Sequence, residues 1–346
     1  MVSRKWKGKK KKRSGVAGGL LVVFLLGVLA AAGAAWLVLT PFGPDTETFV
    51  RIEPGSSATA IGQKLEASGV VRSQLVFDLL RWVKRGRLLA GDYRFDHPAP
   101  VTEVYARIRR GDVYTISLTV PEGANVFDIA ARVEAAGLGT REEFLNAAAE
   151  ETGLVADLDP SAKSLEGYLF PETYRFARGV KATQIVAAMV RRFRVVAEQL
   201  GLKEDLHRVV TLASLVERET AIDVERPLVA SVLTNRLKKN MPLMTDPAVI
   251  YGLEREQRWR GTLYARDLTH NTPYNTYLHA GLPPGPISNP GAHSLRAAMD
   301  PANTDFLYFV AAGANAQGHS MFESTLDDHN RDVAIYRRAM KKAGMR

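Results

Sequence analysis

The 346-residue chain has no cysteine. Disulfides are excluded, as is any metal held by thiolates. Stability must come from buried apolar side chains. Acidic residues are missing from the whole N-terminal stretch before Asp45. In that stretch, eight of the 46 Lys and Arg crowd into the first thirteen residues: Arg4, Lys5, Lys7, Lys9, Lys10, Lys11, Lys12 and Arg13. The rest of the chain carries 38 basic and 37 acidic residues, a net charge of +1 against +9 for the whole. The positive charge therefore belongs to a tail and not to a face of the folded part, which argues against a nucleic-acid binder.

Charge is also missing from Val16 to Leu39. A helix of that length spans about 36 Å, enough for a hydrocarbon core of about 30 Å with some tilt. Basic residues before it and none just after it predict a basic cytoplasmic tail over 1–15 and a transmembrane helix over 16–39. The rest of the chain is then outside, in a periplasmic position on the inner membrane. A cleaved signal peptide is the competing reading, since Ala30 to Ala35 offers small residues. Its apolar core would run ~7–15 residues, whereas here the run continues through Trp36, Leu37, Val38 and Leu39.

Beyond a Pro- and Gly-containing linker at 40–47, a pattern occurs twice. Gly55, Ile61, Glu66 and Gly69 recur as Gly123, Ile129, Glu134 and Gly137, all 68 residues on. Each copy opens with alternating apolar residues, Phe49 to Ile52 and Ile116 to Val120, which predict a strand. A turn at glycine follows, then a helix ending at glycine. A second helix comes next, near Ser73 to Lys84 and Arg141 to Glu150. Tyr93-Arg94-Phe95 recurs as Tyr174-Arg175-Phe176 at a spacing of 81, so an insertion falls within Thr152 to Ser164. The first copy resembles a LysM-type carbohydrate-binding module, over 46–114. A structural spacer is the alternative.

From Leu206 onward the sequence predicts mainly helices. Leu206, Val209, Val210, Ala213 and Glu217 make one stripe, and Leu212, Leu215, Val216 and Glu219 a second. A helix apolar nearly all round should be central. A second helix starts at Pro227, with Glu225 placed to complement its N-terminal dipole. Proline and glycine concentrate in Thr272 to Gly291, which predicts an irregular binding wall.

Two acids end the central helix. Glu217 and Glu219 are two apart, so their side chains diverge by about 200° and cannot flank one bond together. Glycoside hydrolases need an acid and a second carboxylate; here that partner would be Asp246 or Glu166. A single carboxyl can suffice if it first protonates the glycosidic oxygen and then takes a proton from the sugar's own 6-hydroxyl. An apolar setting that raises its pKa favours this. The blander role for either Glu is an ion pair with Arg218 or Arg226. Ser214 has no nucleophile elbow and is expected to bond its backbone or orient Glu217. His270, His279, His293, His319 and His329 show no metal-ligand spacing.

The stretch Leu212-Ala213-Ser214-Leu215-Val216-Glu217-Arg218-Glu219-Thr220 resembles the catalytic motif of the MltG/YceG-like endolytic murein transglycosylases. Other segments resemble that family in the same order: Ser164 to Tyr174, Glu225-Arg226-Pro227, Asn235-Arg236-Leu237, Thr245 to Gly252, Pro273 to Tyr277, Gly281 to Gly291, Tyr308-Phe309-Val310 and Asp328-His329-Asn330. The resemblance implies an α+β protein: the transmembrane helix, the small LysM-like αβ module, and a mixed, mainly helical catalytic domain over 115–346. It implies cleavage between N-acetylmuramic acid and N-acetylglucosamine in nascent peptidoglycan, a 1,6-anhydro end, and termination of glycan elongation beside cell-wall synthases, with no cofactor and no metal. It makes Glu217 the catalytic residue. Glu219, Thr245, Asp246, Tyr274, Asn275 and Tyr277 are substrate-binding candidates. Two positions depart from the pattern: Met244 stands where Gln is usual and Ala248 where Thr is usual, so a substrate role at 244 does not carry over.

Overall fold

The computed structural model describes residues 14–313 and 318–342. The expected basic tail thus lies outside the described residues, apart from Ser14 and Gly15. These begin helix α1 (Ser14–Leu39). Within α1, Gly19–Leu39 is long and apolar enough to cross a membrane. Leu20, Val23, Phe24 and Leu29 are all more than half exposed. A helix apolar on every side, bare from Leu20 to Leu29, suits lipid better than water.

The chain divides into two compact units, Met1–Thr115 and Ile116–Arg346. After α1, the first contains β1 (Thr48–Ile52), α2 (Ala58–Ala67), α3 (Gln74–Lys84), β2 (Gly91–Phe95) and α4 (Val101–Arg110). β1 and β2 pair antiparallel, Val50 opposite Tyr93. The two helices between them are set by local chemistry. The Ser57 hydroxyl accepts the Ala60 amide and the Ser73 hydroxyl accepts the Leu75 amide, each satisfying an N–H that the helix leaves free. The unit's core is Val50, Leu65, Phe77, Tyr93, Phe95, Val104 and Ile108.

The second unit opens on the same plan: β3 (Ile116–Thr119), α5 (Val126–Ala135), α6 (Arg141–Glu150), β4 (Thr173–Phe176) and α7 (Ala182–Leu200). β3 pairs with β4 as β1 does with β2. Capping boxes start both helices, Asn125 with Asp128 and Thr140 with Glu143. The insertion between the copies lies between α6 and β4. Around this frame stand α8 (Leu206–Glu219), α9 (Arg226–Lys238), α10 (Asp246–Arg255), α11 (Ala292–Met299), the hairpin β5–β6 (Tyr308–Ala311, Ser320–Glu323) and α12 (Leu326–Lys342).

α8 is central, as its double stripe predicts: Val209 to Val216 are all buried. From Asn271 to Pro290 there is neither strand nor α-helix, in line with its proline and glycine. One element adds to the expected helices: the sequence did not indicate the β5–β6 hairpin, because Tyr308–Ala311 is apolar throughout and carries no alternation. Glu225 stands at the N-cap of α9, the helix end its charge complements. Its carboxylate accepts the Ser320 amide at 3.0 Å and meets His319 at 2.9 Å, fastening the start of α9 to β6.

Candidate active site

α8 carries Glu217 on its last turn. The side chain is 5% exposed, and both oxygens are engaged. Oε1 accepts from Arg226 Nη1 at 2.8 Å, and Oε2 accepts the Gly291 amide at 2.9 Å. Gly291 is the N-cap residue of α11, so the positive end of a helix dipole faces the carboxylate. Arg226 is itself 5% exposed. It donates to Asp223 at 3.0 Å and to Ser294 at 2.5 Å. The ion pair expected for an acid at this position is thus present, with Arg226.

A second carboxylate stands beside it. Glu122 Oε2 lies 4.0 Å from Arg226 Nη2, and a Cβ placed on Gly291 would come within 1.9 Å of Glu122 Oε1. Only glycine at 291 lets Glu122 lie where it does. Burial first, and the neighbouring Glu217 charge second, raise the Glu122 carboxyl above its ordinary range. The turn that carries Glu122 is pressed onto α8. Gly123 has φ +76, and a Cβ there would sit 3.4 Å from Glu217 Cγ. Arg218 Nη1 donates to the Gly123 carbonyl at 3.2 Å. An open groove of about 590 Å³ begins at Asp223 and His293, lined also by Arg296 and Asp300. Half-exposed and next to this groove, Glu122 is the carboxylate that the sequence did not disclose. The available signal was in the repeat: the first copy has Pro54 where the second has Glu122.

Glu219 points elsewhere, as the helical geometry requires. Burial, then the charge of Asp246, push its carboxyl up to about 7, opposed by Arg236 and Arg218. Asp246 is exposed at the start of α10 and accepts the Tyr277 hydroxyl at 2.7 Å. Glu219, Asp246 and Tyr277 therefore form one polar cluster. Thr245 lies beneath it, 3% exposed. Its amide donates to Thr276 Oγ1 at 2.9 Å, stitching α10 to the long loop. Met244 is half exposed, with φ +53, and its amide donates to the Thr276 carbonyl.

The other two candidates leave this cluster. Asn275 is fully buried. Its Nδ2 donates to the Leu268 and His270 carbonyls and its Oδ1 accepts the Tyr277 amide, so the side chain is spent inside the loop. Tyr274 packs edge-on against Tyr251 and accepts from Arg255. It lines a pocket of about 220 Å³ with Lys163, His207 and Pro284. His207 is on the first turn of α8 and Glu217 on the last, about 15 Å apart at 1.5 Å per residue. Tyr274 thus belongs to the other end of the helix.

A buried asparagine braces the end of the wall. Asn289, fully buried, accepts the amides of Gly167 and Leu169 at 2.9 and 2.8 Å and donates to the Ala124 carbonyl and Glu166 at 2.9 and 2.8 Å. Ser214 Oγ accepts the Ile287 amide, and its carbonyl accepts the Ser288 hydroxyl. Ser214 thus orients the loop next to Glu217. Glu166 is no partner for Glu217. It is 1% exposed and accepts the Val126 amide with its other oxygen.

Burial pushes Glu166 from an ordinary 4.5 up to about 8. The folded protein therefore binds a proton there that the unfolded chain releases. Its stabilising contribution is full below pH 4.5 and is lost as pH rises towards about 8. Denaturant melts should show stability falling over that window by up to ~1.4 kcal/mol per pH unit from this group. Glu219 adds the same sign. Glu166→Gln should be less stable yet flatter with pH; an unchanged slope would assign the effect elsewhere.

The model of the YceG-like family matches residues 50–335. The chain is similar to a Bacillus subtilis (strain 168) protein named Endolytic murein transglycosylase, 33% identical over 86% of this chain and 88% of that one. A Streptococcus pneumoniae (strain ATCC BAA-255 / R6) protein of the same name is 28% identical over 86% of this chain and 60% of its own. The crystal structure of a putative yceG-like protein from Listeria monocytogenes superposes with a TM-score of 0.54, at 31% identity, over 83% of this chain and 99% of that one. With the family's match spanning most of the chain, and both carboxylate clusters at the end of α8 inside it, the chain belongs to the YceG-like family.

Proposed function

We propose that this protein is a membrane-anchored endolytic lytic transglycosylase. It cuts the bond between N-acetylmuramic acid and N-acetylglucosamine within nascent peptidoglycan strands, in the manner its relatives' name suggests. The observation that carries the proposal is Glu217: a buried carboxyl at the end of the central helix, oriented at both oxygens, whose partner Arg226 also holds Asp223 on the wall of an open groove. Glu217 delivers a proton to the glycosidic oxygen as the C1–O bond breaks. The resulting carboxylate takes the proton of the muramic acid 6-hydroxyl, whose oxygen closes on C1. Arg226 and the α11 N-terminus stabilise the carboxylate between the two steps. Glu122, whose carboxyl is raised by burial and by the Glu217 charge, stands beside Arg226 as a second group able to carry a proton.

Helix α1 is the anchor, with the N-terminus cytoplasmic and both units periplasmic. The first unit is LysM-like, its glycan groove of about 340 Å³ lying between the Glu53–Ser56 turn and the Gly86–Ala90 segment. Cutting growing strands makes the enzyme a terminator of elongation, working beside the synthases. Glu219, Asp246 and Tyr277, with Thr245 beneath them, bind the sugars on the other side of Glu217. A role for Tyr274 requires the substrate to reach the His207 end of α8.

One observation favours a second reading, hydrolysis. Glu122 supplies the second carboxylate that a muramidase needs, a role the sequence had offered to Asp246 or Glu166. Mass spectrometry of strands digested by the full-length protein separates the two. Lytic cleavage leaves 1,6-anhydro ends, lighter by one water than the reducing ends of hydrolysis. Reducing ends alone, lost in Glu122→Gln, would replace the first reading by the second.

A further inference from the structure

Helix α3 is apolar on two sides. One side, Phe77 and Leu80, enters the core of the first unit. The other carries Leu75, Leu79, Trp82 and Val83, which are 75%, 60%, 74% and 64% exposed. Their spacing of i, i+4, i+7 and i+8 makes them one continuous stripe. Four large apolar side chains in a row on a soluble surface mark a contact face. Cations flank it: Arg81, Lys84, Arg85 and Arg87 are all exposed.

The place of α3 in the fold indicates what covers this face. Arg72, two residues before α3, stacks on Trp36 at 4.6 Å and on Phe42 at 4.8 Å, and Nη2 donates to the Pro41 carbonyl. Val38, on the last turn of α1, packs on the core of the same unit. The start of α3 is therefore tied to the end of the apolar span, where a tryptophan marks the membrane–water boundary. A helix with a bare apolar stripe, an exposed Trp and flanking cations is built to lie in that boundary.

We infer that α3 is a second membrane contact. Its Leu75–Leu79–Trp82–Val83 stripe lies in the outer surface of the bilayer that α1 spans, and its cations lie at the lipid phosphates. The contact rests on α1 being a membrane anchor. The anchor alone leaves the first unit free to tilt, whereas two contacts fix its orientation to the membrane plane.

Because the chain lacks cysteine, single cysteines can be labelled in the full-length protein without a background. Fluorescent labels at Leu79→Cys, Leu29→Cys and Glu66→Cys are compared after reconstitution into vesicles of phosphatidylcholine, with and without phosphatidylglycerol. The Leu79 label should sit about 5–10 Å into the headgroup and acyl boundary. It should lose emission to lipids brominated high on the acyl chain but not to those brominated at its end. The Glu66 label should lose emission to neither, and the Leu29 label to the deep ones. A Leu29 label in the bilayer with a Leu79 label as aqueous as that at Glu66 overturns the contact while the anchor stands. An aqueous Leu29 label overturns both.

Discussion

Glu217→Gln is expected to fold and to lose turnover by ~10²–10⁴-fold, the usual worth of general acid–base catalysis. The amide keeps the size of the carboxyl and can still accept the Gly291 N–H, but it neither donates nor takes a proton. Its loss of charge removes one partner of buried Arg226, which keeps Asp223 at 3.0 Å and Glu122 at 4.0 Å. Some loss of stability follows, so a melt must accompany the assay. The comparison that decides is Glu219→Gln. Glu219 has its carboxyl pushed up to about 7, a favourable value for an acid near neutral pH. If Glu219→Gln removes turnover and Glu217→Gln leaves it within a few-fold, the acid is Glu219 and the Glu217–Arg226 pair is structural.

Gly167→Ala should be among the most destabilising small changes in the second unit, by ~2–5 kcal/mol. Two effects add. Gly167 has φ +88, and an L-residue there is strained by ~1–2 kcal/mol. Its added Cβ would also meet Pro286 Cγ and Cβ at 2.5 and 2.6 Å and Val210 Cγ1 at 2.7 Å. Those are a proline ring on the loop and a methyl on the central helix, and overpacking of that kind costs ~1–3 kcal/mol. Gly137→Ala is the control, since its φ is +69 but nothing lies within 4 Å of the new Cβ. Denaturant unfolding of both variants should show Gly167→Ala well beyond Gly137→Ala. Equal losses would mean that the 286–291 loop yields, and that Asn289 does not hold it as its four hydrogen bonds imply.

Periodicity and local chemistry determined much of this protein from sequence alone. The charge-free run at 16–39 gives the α1 helix, because every side chain there is apolar whatever face it occupies. The two stripes of α8 make it central, and a step of two residues sends Glu217 and Glu219 to different sites. The repeat spaced at 68 reappears as β1-α2-α3 and β3-α5-α6, because turns at glycine and caps such as Asn125 act within a few residues of themselves. Only the tertiary structure decided which loops meet. Glu122 reaches Arg226 and Gly291 across more than a hundred residues, and Asn289 bonds segments 120 or more residues away. No spacing encodes such contacts. For the same reason Asn275 and Tyr274, polar or aromatic in a loop that looked like a binding wall, divided into a buried brace and a distant pocket lining. The outer stripe of α3 lay in the sequence as an ordinary amphipathic pattern. Whether an apolar stripe is core or surface depends on what packs on it, and in the first unit Phe77 and Leu80 fill the core while Leu79 and Trp82 remain bare.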